Sequence, residues 1–259
     1  MNIPSKKISG KVRKGLRGLP WLFLTGLILM GGFASMTAAG SDARQEDKYA
    51  RERAEMVRNQ IQARGIDDPR LLEAFRTVKR HRFVPEVSRD IAYTDQPLSI
   101  GYKQTISQPY IVAFMTEVLD VEESEKVLEV GTGSGYQAAI LGELCRAVYT
   151  IEIVEALGES ARERLDRLDY DNVHVKIGDG YEGWPEHAPY DGIIVTCSPT
   201  HVPEPLKDQL AEGGRMIIPV GKRYTQELVK LRKKEGELVE ETVLPVRFVP
   251  MVDDAGKRY

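Results

Sequence analysis

The sequence predicts an α/β protein on a doubly wound, Rossmann-like sheet, mostly parallel, with a C-terminal antiparallel hairpin and additional N-terminal helices. Three observations carry this. Lys126-Val-Leu-Glu-Val-Gly-Thr-Gly-Ser-Gly-Tyr136 joins a short apolar strand to a glycine turn, and Gln137 to Cys145 then reads as a helix. Ala147 to Glu152 reads as a second strand ending in an acid, about twenty residues after the glycine turn. Strand-like and helix-like stretches then alternate as far as Val220, the pattern of a parallel sheet.

The N-terminal segment stands apart from this fold. Residues 1–18 carry Lys6, Lys7, Lys11, Arg13, Lys14 and Arg17, and no acid precedes Asp42. Leu19 to Ala39 is almost uncharged and ends in Met36-Thr-Ala-Ala39. A basic flank, an apolar run and small residues are the plan of a secretory signal, and the run is nearly long enough to remain as a membrane anchor. Residues 1–39 are therefore expected to be a signal peptide or anchor, with the basic flank in the cytoplasm and the rest exported. The alternative is a start at Met36 or Met56. Membrane contact is expected only through residues 19–39, and residues 40–48 read as a polar linker.

From Asp47 to Arg64, Ala50, Ala54, Val57 and Ile61 recur at helical spacing, and Gly65 ends the run. Asp68-Pro69 is a cap and a first-turn proline, opening a helix with Leu71, Leu72, Phe75 and Val78 inward. His81 to Ile100, punctuated by Pro85 and Pro97, is less regular. Pro109 starts a helix with Ile111, Val112, Met115, Val118 and Leu119 inward, and the polar run Gly101 to Gln108 is expected to be a loop at its N-terminus. Ser107 and Gln108 there read as helix caps or as ligand-facing groups.

After the glycine turn, Val154–Leu168 is a helix, Val173–Ile177 a strand, and Gly178-Asp-Gly180 a turn. Asp191–Thr196 is a strand, Val202–Leu210 a helix and Arg215–Val220 a strand. Glu227–Arg232 and Leu238–Met251 are extended, separated by the turn-prone Lys234-Glu-Gly236. Residues 49–259 are expected to form one globular unit: 49–122 a helical part, 123–259 the Rossmann-like part.

Composition limits the function classes. With 259 residues, 42% hydrophobic, 29% charged and a net charge of -3, the chain buries one sizeable core, and nothing in the totals implies nucleic acid. Lys230, Arg232, Lys233 and Lys234 read as a solvated hairpin face. Cys145 and Cys197 lie in unrelated elements and read as buried thiols. His81, His174, His187 and His201 are scattered, so no metal is expected.

The glycine turn narrows the ligand. A dinucleotide fingerprint needs glycine at its sixth position, where Tyr136 stands, and no Gly-Lys-Ser/Thr phosphate loop is present. Glu129 followed by Gly131, Gly133 and Gly135 resembles the first motif of S-adenosylmethionine-dependent methyltransferases. Glu152 stands where a carboxylate meets ribose hydroxyls, and Asp179 is suited to accept from an adenine amine or simply to close its own turn.

Met56 to Gly65, Thr105-Ile-Ser-Gln-Pro-Tyr110, Val127 to Tyr136, Gly178-Asp-Gly180 and Val246-Arg-Phe-Val-Pro250 together resemble the protein-L-isoaspartate O-methyltransferase family, over about residues 50 to 252. The resemblance implies a class I methyltransferase sheet and methyl transfer from S-adenosylmethionine, without metal, to isoaspartyl-containing proteins in repair through a succinimide. It implies Ser107 as the active-site residue, and Thr105, Gln108, Glu129, Gly131, Gly133, Gly135, Glu152, Asp179 and Gly180 toward the cofactor, with the Val246–Pro250 strand walling the peptide. Cys197 stands where the family more often has alanine. A monomer is expected. The family and its cofactor supply imply cytoplasm, against the export signal. Two rivals are a methyltransferase of nucleic acid or small molecules and a non-enzymatic cofactor-binding scaffold. Thr196-Cys-Ser-Pro-Thr200 lacks the aromatic that amine-methylating nucleic-acid enzymes place there.

Overall fold

The structure is a computed structural model that describes residues 43–222 and 225–257. The signal or anchor expected over residues 1–39 lies outside them. Helix α1 covers residues 43–56, beginning inside the stretch read as a linker. It passes into a π turn, Val57–Ile61, and a 3-10 turn, Gln62–Arg64, before Gly65 ends it at φ 90°. The single helix expected from 47 to 64 thus changes winding in its last two turns. Helix α2 is Pro69–Thr77, with the Asp68 carboxylate accepting from Arg70 N at 2.8 Å as its N-cap. Leu71, Leu72, Phe75 and Val78 are buried, as the spacing predicts.

Strands β1, Leu98–Gly101, and β2, Gln104–Ile106, form an antiparallel hairpin, so half of the polar run expected as a loop is strand backbone. Leu98 and Ile106 are paired partners, both buried, and their burial fixes which face turns inward. Helix α3, Pro109–Leu119, follows and stops at Asp120, whose φ of 55° is left-handed.

The main sheet contains β3 (Lys126–Val130), β4 (Ala147–Glu152), β5 (Val173–Ile177), β6 (Tyr190–Val195), β7 (Leu210–Lys222), β8 (Thr225–Lys234) and β9 (Glu237–Val246), in the order β5-β4-β3-β6-β7-β8-β9. The first five positions pair in parallel, and β8 and β9 add the antiparallel edge. Helices α4 (Tyr136–Gly142), α5 (Glu155–Arg167) and α6 (Glu204–Asp208) provide crossovers. Several of the expected boundaries shift, most by one or two residues and three by more. α4 and α6 are shorter than 137–145 and 202–210, and β7 starts at Leu210 rather than Arg215. The extended stretch expected to run to Met251 ends as β9 at Val246, beyond which the chain makes a single bridge, Ser198 to Pro250. Cys145 and Cys197 are free thiols.

Two apolar cores cover the sheet. Val127 and Val148 face one with α2 and α4, including Phe75 and Tyr136. Leu128, Val130, Ile193 and Val195 face the other with Leu206 and Met216. The period-2 alternation assigns Glu129 to the same face as Val127. From β3 the chain moves outward to β4 and β5, then returns to β6 on the other side of β3. This reversal opens a crevice at the carboxyl ends of β3, β4 and β6.

Arg215 ties this sheet to α3. Its guanidinium pairs with both Glu125 oxygens, at 2.7 and 2.8 Å, and also donates to Leu119 O and Asp120 O. Both side chains of the pair are only 14% exposed. Arg215→Met should destabilise the fold by about 2–4 kcal/mol, because it leaves a largely buried carboxylate without its cation, with only the Glu122 amide still donating to it, and removes the donors to Leu119 O and Asp120 O. Urea unfolding should show this as a lowered midpoint at an unchanged slope.

Candidate active site

Gly131, Gly133 and Gly135 have φ values of 101°, 54° and 85°, so the turn after β3 follows a left-handed path that side chains resist. The turn is fastened to both neighbouring strands. Gly131 N and Thr132 N donate to Ile151 O at 2.9 and 3.1 Å, and Gly133 N donates to Glu152 Oε2 at 2.7 Å. On the other side Thr196 N donates to Val130 O, and the Thr196 hydroxyl to Gly131 O at 2.7 Å. A Cβ on Gly131 would overlap that hydroxyl, and a Cβ on Gly180 would overlap Val130. Backbone alone fits at both places.

The recess so formed is lined by Gly131, Gly133, Glu152, Gly180 and Thr105, and also by Thr196 and Cys197. Glu152 Oε1 accepts from Val154 N at 2.9 Å, which with the Gly133 bond holds the carboxylate at the rim. Burial raises its pKa, while the amide hydrogen bonds oppose the rise.

Other predicted residues sit behind or beside this wall. Glu129 is completely buried beneath the turn: Oε2 accepts from the Thr150 hydroxyl at 2.6 Å, the Thr150 and Thr132 hydroxyls are 2.7 Å apart, and Oε1 has no partner. Burial pushes its pKa up to about 8 despite the Thr150 bond. Glu129 therefore reaches the turn through two threonines rather than lining the recess. Gly135 packs against Leu165 and Ala161, away from the opening. Asp179 spends one oxygen on Tyr181 N at 2.8 Å, closing its own turn, and leaves the wall to Gly180.

Ser107 and Gln108 line a second, adjoining recess of about 920 Å³, together with Thr105, Ile111 and the segment 245–250. Thr105 and Thr196 belong to both recesses, so the two share a wall. Gln108 donates to Asp95 O at 3.2 Å and makes no side-chain cap on α3. Segment 245–252 is held in place by Ser198, which pairs with Val249 O and Met251 N, and by Gln226, which bonds both Phe248 N and Phe248 O.

Sequence reasoning missed Thr196 and Ile153 as wall residues, and Arg80, whose Nη2 donates to Ser107 O at 2.8 Å. Position directly after a sheet strand was the available signal for the first two. Nothing in Val78-Lys-Arg-His-Arg82 marks one cation as buried. Among the described residues no cluster of His, Cys, Asp or Glu is arranged to hold a metal.

Parallel strands, a glycine turn at the switch point and an acid ending the next strand define a class I, S-adenosylmethionine-dependent methyltransferase. The model of the protein-L-isoaspartate(D-aspartate) O-methyltransferase family matches residues 51–256, and the chain belongs to that family. A protein-L-isoaspartate O-methyltransferase 2 from Syntrophobacter fumaroxidans is 53% identical over 238 residues, covering 88% of this chain and 96% of the relative. A protein-L-isoaspartate O-methyltransferase from a Picosynechococcus species is 56% identical, covering 77% of this chain and 89% of its own. A solved protein-L-isoaspartate O-methyltransferase superposes with a TM-score of 0.73 at 30% identity, covering 79% of this chain and 67% of the solved one. A beta-aspartate methyltransferase from Plasmodium falciparum, solved in complex with S-adenosyl-L-homocysteine, superposes at 0.67 with 28% identity, covering 76% of this chain and 96% of its own.

The residues present fit the family's methyl donor. Gly131, Gly133 and Gly180 line the recess with bare backbone, the Cβ positions at Gly131 and Gly180 being taken by Thr196 and Val130, and Glu152 presents a carboxylate at the rim. Gly131→Ala should weaken S-adenosylmethionine binding by about tenfold or more, equivalent to about 1.4 kcal/mol, in isothermal titration. Glu129 gives a pH signature. A folded pKa near 8, above the unfolded value of about 4.5, means that its contribution is full below pH 4.5 and is lost as pH rises through 8. In calorimetry without cofactor, Glu129→Gln should therefore gain in thermal midpoint relative to the parent as pH increases across that window.

Proposed function

We infer that the protein transfers a methyl group from S-adenosylmethionine to the free α-carboxylate of L-isoaspartyl residues in damaged protein, starting repair through a succinimide. The observation that carries this reading is the shared wall: Thr105 and Thr196 separate the glycine-turn recess from the Ser107 recess, so donor and acceptor meet across one boundary. S-adenosylmethionine supplies an electrophilic methyl on a positively charged sulfur. Thr105, Gly131, Gly133, Glu152 and Gly180 hold it, with Glu129 and Gly135 supporting the turn from behind and Asp179 and Gln108 at the margins.

The acceptor needs little chemical activation. A carboxylate has a reference pKa near 4 and is already ionised at neutral pH. Among the described residues, the lining of the Ser107 recess contains no carboxylate or imidazole to act as a base. What the chain must supply is position and removal of water, which is worth roughly 7–11 kcal/mol in well-oriented systems. The Ser107 hydroxyl donates to one carboxylate oxygen and leaves the other to attack. The backbone of segment 245–250 walls the peptide on the far side.

Ser107→Ala should lower kcat by about 10- to 100-fold with the S-adenosylmethionine Kd nearly unchanged. Normal turnover with lost cofactor affinity would refute the positioning role. Methylation of an isoaspartyl peptide beside its matched aspartyl peptide tests the substrate: equal rates on both would sink it, and methylation of nucleic acid instead would favour the rival reading.

Residues 1–39 are read as an export signal or anchor, supported by the basic flank and the apolar run. The catalytic part then works outside the cytoplasm and depends on donor reaching it there. Among the described residues no helix is long and apolar enough to cross a membrane. Sequencing the mature N-terminus after cell fractionation should find cleavage near Ala39 or a retained segment in the membrane fraction. A soluble cytoplasmic chain starting at Met36 or Met56 would overturn this.

A further inference from the structure

Among the described residues Arg80 is the largest completely buried side chain, and its hydrogen bonds go to carbonyls, not to a carboxylate. Nε donates to Ala92 O at 2.7 Å and Nη2 to Ser107 O at 2.8 Å, while the guanidinium carbon lies 4.8 Å from the centroid of the Tyr136 ring. Nη1 and the Tyr136 hydroxyl are both buried without a hydrogen bond of normal geometry. Burying an unpaired cation is expensive, and an apolar side chain of similar length would fill the same volume at lower cost. Stability alone therefore does not account for an arginine here.

The placement of its contacts does. Ser107 lies on the strap between β2 and α3, and Tyr136 is the first residue of α4, directly after the glycine turn. Ala92 closes the 3-10 turn Glu86–Ile91 in the intervening segment. One guanidinium thus touches the main chain that carries the substrate-side serine and the ring that begins the cofactor-side helix. Its planar donors fix direction as well as distance, which an ammonium on a flexible stem does less well. The bond to Ser107 uses the carbonyl, leaving the hydroxyl free for the recess.

We propose that Arg80 is a positioning residue for methyl transfer: it holds the Ser107 main chain in register with the glycine turn, so that the serine hydroxyl faces the acceptor carboxylate at the donor methyl. The proposal rests on the role given to Ser107 above. It predicts that loss of the guanidinium acts through Ser107 and on turnover rather than on donor binding.

The test is a double-mutant cycle on the full-length protein, with kcat, KM for an isoaspartyl peptide, the S-adenosylmethionine Kd and the thermal midpoint measured for each variant. Arg80→Met and Arg80→Lys are combined singly with Ser107→Ala. Arg80→Lys keeps the charge and a single donor nitrogen in place of the planar fork, so it carries the cycle if Arg80→Met does not fold. With Ser107 present, Arg80→Met should lower kcat by about 10- to 100-fold and Arg80→Lys by less, with the Kd of the donor changed by no more than about threefold. With Ser107→Ala in place, the same changes should have little further effect on kcat. Equal losses in both backgrounds, an unchanged kcat, or a loss confined to donor affinity or to the thermal midpoint would overturn the proposal. If Ser107→Ala alone turns over normally, the serine role itself fails, which that single variant distinguishes from a failure at Arg80.

Discussion

The fold depends on bringing a bare stretch of backbone, Gly131 to Gly135, between the ends of two strands and keeping it there. Left-handed φ values make this turn possible, but they do not hold it. The amides of Gly131, Thr132 and Gly133 are bound to β4 and its terminal carboxylate, and the hydroxyl of Thr196 comes from β6 to meet Gly131 O. A turn with every neighbour fastened loses little entropy when a ligand arrives. The sheet order makes this possible, because only at the switch point do β4 and β6 both flank β3.

Two buried ionisable side chains flank that turn, and neither has a hydrogen-bonded counter-ion. Glu129 lies beneath it with one oxygen lacking a hydrogen-bond partner, and Arg80 lies against the Tyr136 ring with Nη1 lacking a hydrogen bond of normal geometry. Each destabilises the isolated fold relative to an apolar replacement, and each touches an element that carries the site. This is the pattern expected where a sequence gives up local stability for the arrangement of a reaction centre.

Much of the architecture was legible because the signals were physical and local. Val127-Leu-Glu-Val130 announces a strand covered on both faces, and Asp68-Pro69 and Pro109 announce helix starts that the backbone confirms. The β1–β2 hairpin was not legible. Its turn uses Tyr102 and Lys103 at positive φ rather than the Asn-Gly that usually marks such a turn, and only Leu98 and Ile106 are buried in it. The site was legible in part. Glycine spacing and the acid at Glu152 pointed to the recess, since both follow from chain direction. Which acids face it does not follow from spacing: alternation along β3 turns Glu129 to the helix-covered side, and Asp179 folds back on Tyr181 N. Arg80 sits in a run of cations with nothing in the sequence to single it out.

The segment after β9 adds a consequence for biosynthesis. Glycine turn and serine strap are made early, but the opposite wall of both recesses comes from residues 245–252, fastened to Ser198 and Gln226. A ribosome-bound chain that has released only β3 to β7 owns the floor of the pocket without its closing side. The cleft is therefore complete only once the residues that follow β9 have left the ribosome, and a chain cut short at Val246 keeps the floor of the pocket without the wall that closes it.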